Sequence, residues 1–209
     1  MPNRIRKCFL DFDGTIVNNQ KRLFQFFQEN VNPKYRDVLD IQEFWTLKRC
    51  AVHELEWINR TFKTDYSLQA WNEKKAAEIE NAHYLSFEEI FDFSVETLKR
   101  LREKYYLILV TRRDNEDGLF EELKRFGIRE LFDEIIVLNH NGVTKSEIIR
   151  QRFTVNAEDL FVGDTEDDII SGNELGCSVY FVLSGIRGKW LAQKLNLGVN
   201  VIHDIREIE

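Results

Sequence analysis

The chain has 209 residues, with 29 Lys and Arg against 36 Asp and Glu, a formal net charge of −7. That length supports one domain, or one domain carrying a sizeable insertion, around a full hydrophobic core. A composition of 43% apolar and 31% charged residues excludes a disordered chain. The acid excess argues against a nucleic acid polymer or an anionic membrane as the main partner, because both need clustered positive charge.

The first apolar segment, 5–10, predicts a short strand that ends abruptly in Asp11-Phe12-Asp13-Gly14-Thr15. The stretch 17–84 then reads as helical. Within it Phe44, Leu47, Ala51, Leu55, Ile58 and Phe62 recur at spacings of 3, 4, 4, 3 and 4, one face of a helix. This stretch holds 11 of the 26 aromatic residues, Trp45, Trp57 and Trp71 among them, and they are expected to form a small core of their own.

A helix over 87–104 leads into the continuous apolar run 106–110, which ends at Thr111 and predicts a strand buried on both faces of a parallel sheet. Helices over 115–126, 145–153, 167–175 and 189–195 then alternate with strands over 134–138, 160–162, 178–182 and 199–202. This alternation predicts an α/β fold, a doubly wound parallel sheet with helices on both faces. The helical stretch interrupts it after the first strand. The division expected is a core of 1–16 and 85–209 with an all-helical insertion at 17–84.

Three widely spaced cysteines (Cys8, Cys50, Cys177) and four scattered histidines supply no disulfide framework and no zinc pattern. With no signal peptide and no 18-residue apolar run, a cytoplasmic protein is expected.

Polar residues gather where strands end and helices begin. They are Asp11 and Asp13 after the first strand, Thr111 after the second long one, Lys145 at a helix start, and Asp164 and Asp168 in Gly163-Asp164-Thr165-Glu166-Asp167-Asp168. In an open parallel sheet the carboxyl ends of the strands line one crevice, so these residues can converge there. Carboxylates, a hydroxyl and an ammonium brought together suit a divalent cation and a phosphate group.

The order and spacing of DFDGT, Thr111, Lys145 and VGDTEDD resemble the haloacid dehalogenase-like superfamily of phosphotransferases, with a helical cap inserted after the first strand. The resemblance spans essentially the whole chain. It implies that Asp11 is the nucleophile, which forms an aspartyl phosphate, and that Asp13 protonates the leaving oxygen and later activates water. It implies further that Gly14 allows the tight turn and close phosphate approach, that Thr111 donates to the phosphoryl group, and that Lys145 neutralises it. Mg2+ would be held by Asp11, the Asp13 carbonyl and Asp164, with Asp168 as an outer partner that orients Lys145 or a metal-bound water.

The expected reaction is magnesium-dependent hydrolysis of a small phosphorylated metabolite, as in phosphoglycolate-phosphatase-like members. A β-phosphoglucomutase-like phosphomutase and an inactive binding protein on the same fold are the alternatives. An acid at Asp13 favours phosphoryl transfer over dehalogenation, because a departing halide needs no proton. A receiver-type signalling module uses similar groups, but its phosphorylated Asp follows a later strand and it lacks the insertion.

Arg112, or its neighbour Arg113, is a candidate for binding a second anionic group of the substrate, the rival reading being a surface pairing with nearby acids. Lys48, Arg49 and His53 of the insertion are candidates to face the crevice. Residues 17–85 carry ten basic and ten acidic side chains, so the whole −7 belongs to the core.

Overall fold

The computed structural model describes residues 6–140 and 142–209. Ile5, with which the predicted first strand begins, lies outside them. Strand β1 (Arg6–Leu10) leads through the Asp11–Thr15 turn to a short strand β2 (Val17–Asn18). Five helices follow: α1 (Gln20–Asn30), α2 (Ile41–Arg49), α3 (Glu54–Phe62), α4 (Leu68–Glu78) and α5 (Ala82–Leu85), with a 3-10 turn at Pro33–Val38. The chain returns through β3 (Glu89–Ile90) and α6 (Ser94–Arg102) to β4 (Tyr105–Arg112). It then alternates: α7 (Glu116–Arg125), β5 (Glu134–Leu138), α8 (Lys145–Arg152), β6 (Leu160–Gly163), α9 (Glu166–Leu175), β7 (Ser178–Val182), α10 (Trp190–Leu195) and β8 (Asn200–Ile202).

Six of these strands form one sheet in the order β5-β4-β1-β6-β7-β8, every adjacent pair parallel. Side chains alternate between its faces with the two-residue period of a strand. Cys8, Leu10, Leu107 and Leu109 pack on one face under Leu98 and Leu101 of α6 and Leu119 and Leu123 of α7. Phe9, Ile108 and Val110 pack on the other with Ile149 of α8 and Phe161. The doubly wound parallel sheet expected from the sequence is present.

The helices between β2 and β3 enclose a separate cluster of Leu23, Phe26, Phe27, Phe44, Leu55, Ile58 and Trp71. Most aromatics of the insertion are thus spent on its own core. The single periodic face drawn from Phe44 to Phe62 is in fact two helices. The chain leaves α2 through Ala51, in a left-handed conformation (φ 55°), and the His53 side chain accepts the Leu55 amide to start α3. Apolar spacing survives such a break because both helices face the same cluster.

A second correction concerns the helix predicted over 87–104. Its first residues instead form β3, which pairs antiparallel with β2 (Val17 with Ile90, Asn18 with Glu89), and α6 begins only at Ser94. The insertion therefore enters and leaves on a two-stranded ribbon.

Candidate active site

β1 lies inside the sheet between β4 and β6, so the winding direction reverses around it. Such a reversal opens a crevice at the carboxyl ends of the strands. Asp11 follows β1, Thr111 lies at the end of β4, Asp164 follows β6, and Lys145 opens α8. All four line one cavity of about 430 Å³, together with Asp13, Arg22 of α1 and one face of α4.

Lys145 is buried and its Nζ donates to Oδ1 of Asp11 at 2.6 Å and to Oδ1 of Asp168 at 2.7 Å. The lysine is held there by its helix: Thr144 and Glu147 form a capping box that fixes the first turn of α8. Burial works against the Lys145 ammonium, but Asp11 and Asp168 hold its pKa above the ordinary lysine range. Asp168 serves two structures at once. Its second oxygen accepts the Thr165 amide at 3.0 Å and the Thr165 hydroxyl at 2.6 Å, which starts α9.

Asp164 accepts the Ile186 amide on Oδ2, while its Oδ1 is buried and has no hydrogen-bond partner among the described residues. The chain passes very close to it. Gly14 has φ +75°, and a Cβ there would stand 2.8 Å from the Gly185 Cα as well as against the Asp164 carboxylate. Glycine is required at 14 for both reasons.

Asp13 points away from this cluster. Its Oδ1 accepts from Arg22 at 3.0 Å and from Arg113 at 2.9 Å. Arg113 also meets Glu88 at 3.2 Å and Glu122 at 3.4 Å. Arg22 Nε lies 2.8 Å from Glu88 Oε1, an ion pair too oblique for a hydrogen bond, so that N–H keeps no acceptor. Arg22 and Arg113 thus share the carboxylates of Asp13 and Glu88 at the junction of insertion and core, while Glu122 is held by Arg113 and by Arg125 at 3.3 Å. Burial raises the Asp13 pKa despite the opposing Arg113 and Arg22, and burial raises Glu88 likewise. A carboxyl group whose pKa is raised in this way suits proton donation to a leaving oxygen.

The two arginines after Thr111 go separate ways. Arg112 lines the cavity, but its guanidinium donates to Asp167 at 2.9 Å and to the carbonyls of Asn139 and Val143 at 3.0 and 3.2 Å. It thereby holds the loop that precedes Lys145. Arg113 is buried in the acidic network around Asp13. Of the cap candidates, Lys48 is paired inside the insertion with Glu54, and His53 caps α3. Arg49 docks on the core, donating to the carbonyls of Leu183 and Gly185 at 2.8 Å each.

Arg22, Glu88 and Glu122 were not singled out by sequence reasoning. The available signal was a charged residue at a core-facing helix position. Arg22 sits four residues before the buried Phe26, and Glu122 lies between the buried Leu119 and Leu123.

Carboxylate oxygens of Asp11, Asp164 and Asp168 lie within 4.8 Å of one another, with Lys145 as the ammonium between them. Burial, only partly offset by Lys145, pushes the Asp11 pKa up to about 7, and burial with the neighbouring Asp11 and Asp168 raises Asp164 well above the carboxylate range. Crowded acids with a partnerless buried oxygen fit a hard divalent cation, which takes oxygen donors. Since the Asp168 oxygens are already engaged, Asp11 and the free Oδ1 of Asp164 are the better donors.

A family model for haloacid dehalogenase-like hydrolases matches residues 8–182. The chain belongs to this family. It is 24% identical over 201 residues to the pyrophosphatase PpaX of Halalkalibacterium halodurans, an alignment covering 88% of this chain and 86% of that protein. Among solved structures it is similar to a haloacid dehalogenase-like family hydrolase of Streptococcus pneumoniae, with TM-score 0.67, 20% identity and coverage of 98% and 96% of the two chains. It is also similar to a predicted phosphoglycolate phosphatase of Haemophilus somnus, with TM-score 0.68, 21% identity and coverage of 100% and 98%. At these identities the two structures share its haloacid dehalogenase-like fold. No helix among the described residues is long and apolar enough to cross a membrane.

Proposed function

We propose that this haloacid dehalogenase-like phosphohydrolase is a magnesium-dependent phosphatase that hydrolyses a small phosphomonoester through an aspartyl phosphate on Asp11. The observation that carries the reading is the Lys145 ammonium bridging Asp11 and Asp168 beside the partnerless Asp164 Oδ1. The phosphatase and pyrophosphatase names of its relatives agree with it.

In this mechanism a carboxylate oxygen of Asp11 attacks phosphorus, and the bond from phosphorus to the leaving oxygen breaks. Asp13 turns from its arginine pair and gives that oxygen a proton. After the product alcohol leaves, Asp13 takes a proton from water, whose oxygen attacks the same phosphorus and frees Asp11 and inorganic phosphate. Lys145 keeps Asp11 oriented and offsets charge on the transferring group, and the Thr111 hydroxyl donates to a phosphoryl oxygen. Asp11, the Asp13 carbonyl and Asp164 would hold Mg2+, which supplies charge neutralisation at the phosphoryl oxygens. Asp168 holds Lys145 and the start of α9 in place. Residues 17–84 act as a cap that turns on the β2–β3 ribbon to admit substrate and exclude bulk water.

The test is hydrolysis of 4-nitrophenyl phosphate with and without Mg2+. Activity that requires the metal and is lost in Asp11→Asn supports the reading. A well-folded protein with no turnover over a broad panel of phosphate esters overturns it.

A further inference from the structure

Above the core residues the cavity is roofed by Asn72, Lys75 and Ala76 of α4 and by Ile79 at its C-terminal cap, at spacings of three and four. The spacing places them on one helix face. Lys75 is half-buried there and, among the described residues, its ammonium makes no hydrogen bond and no ion pair with any carboxylate. The acid that acts on it most strongly is Glu54. That carboxylate is already spent, one oxygen on Lys48 and the other on the Trp71 indole N–H at 3.0 Å. The other charged groups that act on it most strongly, Lys48, Arg22 and Arg187, are cations. Glu80, at the far end of the same roof, is turned to the core, where it accepts the Asn115 amide at 2.7 Å. Burial and the neighbouring cations lower the Lys75 pKa to about 7, as expected for an ammonium held without a counterion.

A lysine without a direct ion-pair partner, in a cavity opposite a nucleophile that acts on phosphorus, is placed to receive an anion. A phosphomonoester with a neutral alcohol would bring its single charged group to Asp11 and Lys145 and leave Lys75 unmatched. We propose that Lys75 is a specificity-determining residue that binds a second anionic group, a carboxylate or a second phosphoryl, on the leaving side of the substrate. This rests on the phosphatase reading above and specifies its substrates as small phosphate esters, or phosphoanhydrides handled in the same way, whose leaving group is itself an anion. The cavity size suits such a compact ligand.

The test compares kcat/KM, with Mg2+ present, for 2-phosphoglycolate and pyrophosphate against ethyl phosphate, in the wild type and in Lys75→Ala, Lys75→Met and Lys75→Arg. Losing a charge-assisted contact of this kind lowers the ratio of anionic to neutral leaving group by about 10- to 100-fold in the Ala and Met variants. Arg restores part of the ratio. The Met variant keeps the apolar stem, so a ratio that falls in both variants is not a packing effect. Two-substrate comparison also separates the sources, since 2-phosphoglycolate offers a carboxylate and pyrophosphate a phosphoryl group. A ratio unchanged within about threefold in both variants overturns the proposal. If the wild type hydrolyses ethyl phosphate as well as either anionic compound, the proposal also fails while the phosphatase reading stands. No hydrolysis of any compound sinks the phosphatase reading itself.

Discussion

The guanidinium of Arg22, on the first helix of the insertion, lies 3.0 Å from Oδ1 of Asp13, the group assigned to proton transfer. Arg113 holds the same oxygen from the core at 2.9 Å. The two cations therefore tie the orientation of Asp13 to the relative placement of insertion and core. Without Arg22, Asp13 and Glu88 would be left to share Arg113 in a buried setting, which leaves negative charge unmatched.

Arg22→Met should therefore act on the proton-transfer step. kcat for an alkyl phosphate, whose leaving oxygen needs a proton, should fall by about 10²-fold, the lower end of what general acid catalysis contributes. The loss for 4-nitrophenyl phosphate, whose leaving group departs readily as an anion, should be markedly smaller. Steady-state kinetics on the two esters checks this, and equal losses would show that Arg22 does not act through Asp13.

Lys145 and Asp168 give a separable pair of effects. Lys145→Met removes the ammonium that bridges Asp11 and Asp168, and activity should drop by about 10²- to 10³-fold, as when a charge-stabilising donor is lost. Asp168→Asn keeps the lysine but loosens both its position and the start of α9, for a loss of about 10- to 100-fold. Because the pair acts as a unit, the double variant should be little worse than Lys145→Met alone. A double-mutant cycle that is additive would break the assignment.

Much of the core was legible in the sequence because its signals are local. Short apolar runs that alternate with amphipathic helices specify a parallel sheet, and strand-end residues such as Asp11, Thr111 and Asp164 must then converge at the point where the winding reverses. The insertion was less legible for a physical reason. Helix faces directed at a common cluster keep their spacing across a break, so α2 and α3 read as one helix. The β2–β3 ribbon is only two residues long on each side, too short for any periodicity. Arg113 reaches Asp13 across a separation of 100 residues, and Arg22 reaches it across nine through the turn and ribbon that start the insertion, so no helical or strand periodicity encodes either pairing.

Arg49 fastens the insertion to the loop that covers Asp164. Its guanidinium holds the carbonyls of Leu183 and Gly185, and its own carbonyl accepts the Trp190 indole N–H at 2.6 Å and the Gly188 amide at 3.0 Å. The same loop gives the Ile186 amide to Asp164. Arg49→Ala removes the side-chain half of this attachment and should shift the cap toward open states. KM should rise by about tenfold with a smaller change in kcat, and limited proteolysis near residues 17–20 and 85–89 should accelerate. Unchanged KM and proteolysis would mean that the backbone contacts alone hold the cap.

A second attachment is pH-dependent. His140, in the loop before α8, lies 3.4 Å from Glu80 at the end of the insertion, and its own amide donates to Asp114 at 3.0 Å. The hydrogen bond to Glu80 raises the His140 pKa from its ordinary value of 6.5, with burial and Arg112 opposing and Asp114 assisting. Glu80 is lowered from 4.5: burial alone would raise it, but hydrogen bonds from His140 and Asn115 outweigh that. A raised histidine stabilises the folded state fully below its unfolded value, and the gain is lost as pH rises through the folded value. A lowered carboxylate contributes above its unfolded value, and that gain is lost as pH falls through the folded one. The pair is thus strongest between about 4.5 and 6.5 and weakens above that window. Thermal melts of the wild type and His140→Gln between about pH 5 and 8.5 should show a Tm difference that is largest at the acidic end and shrinks as the imidazolium titrates. A difference that stays constant across that range would mean that the charge on His140 does not contribute to holding the cap.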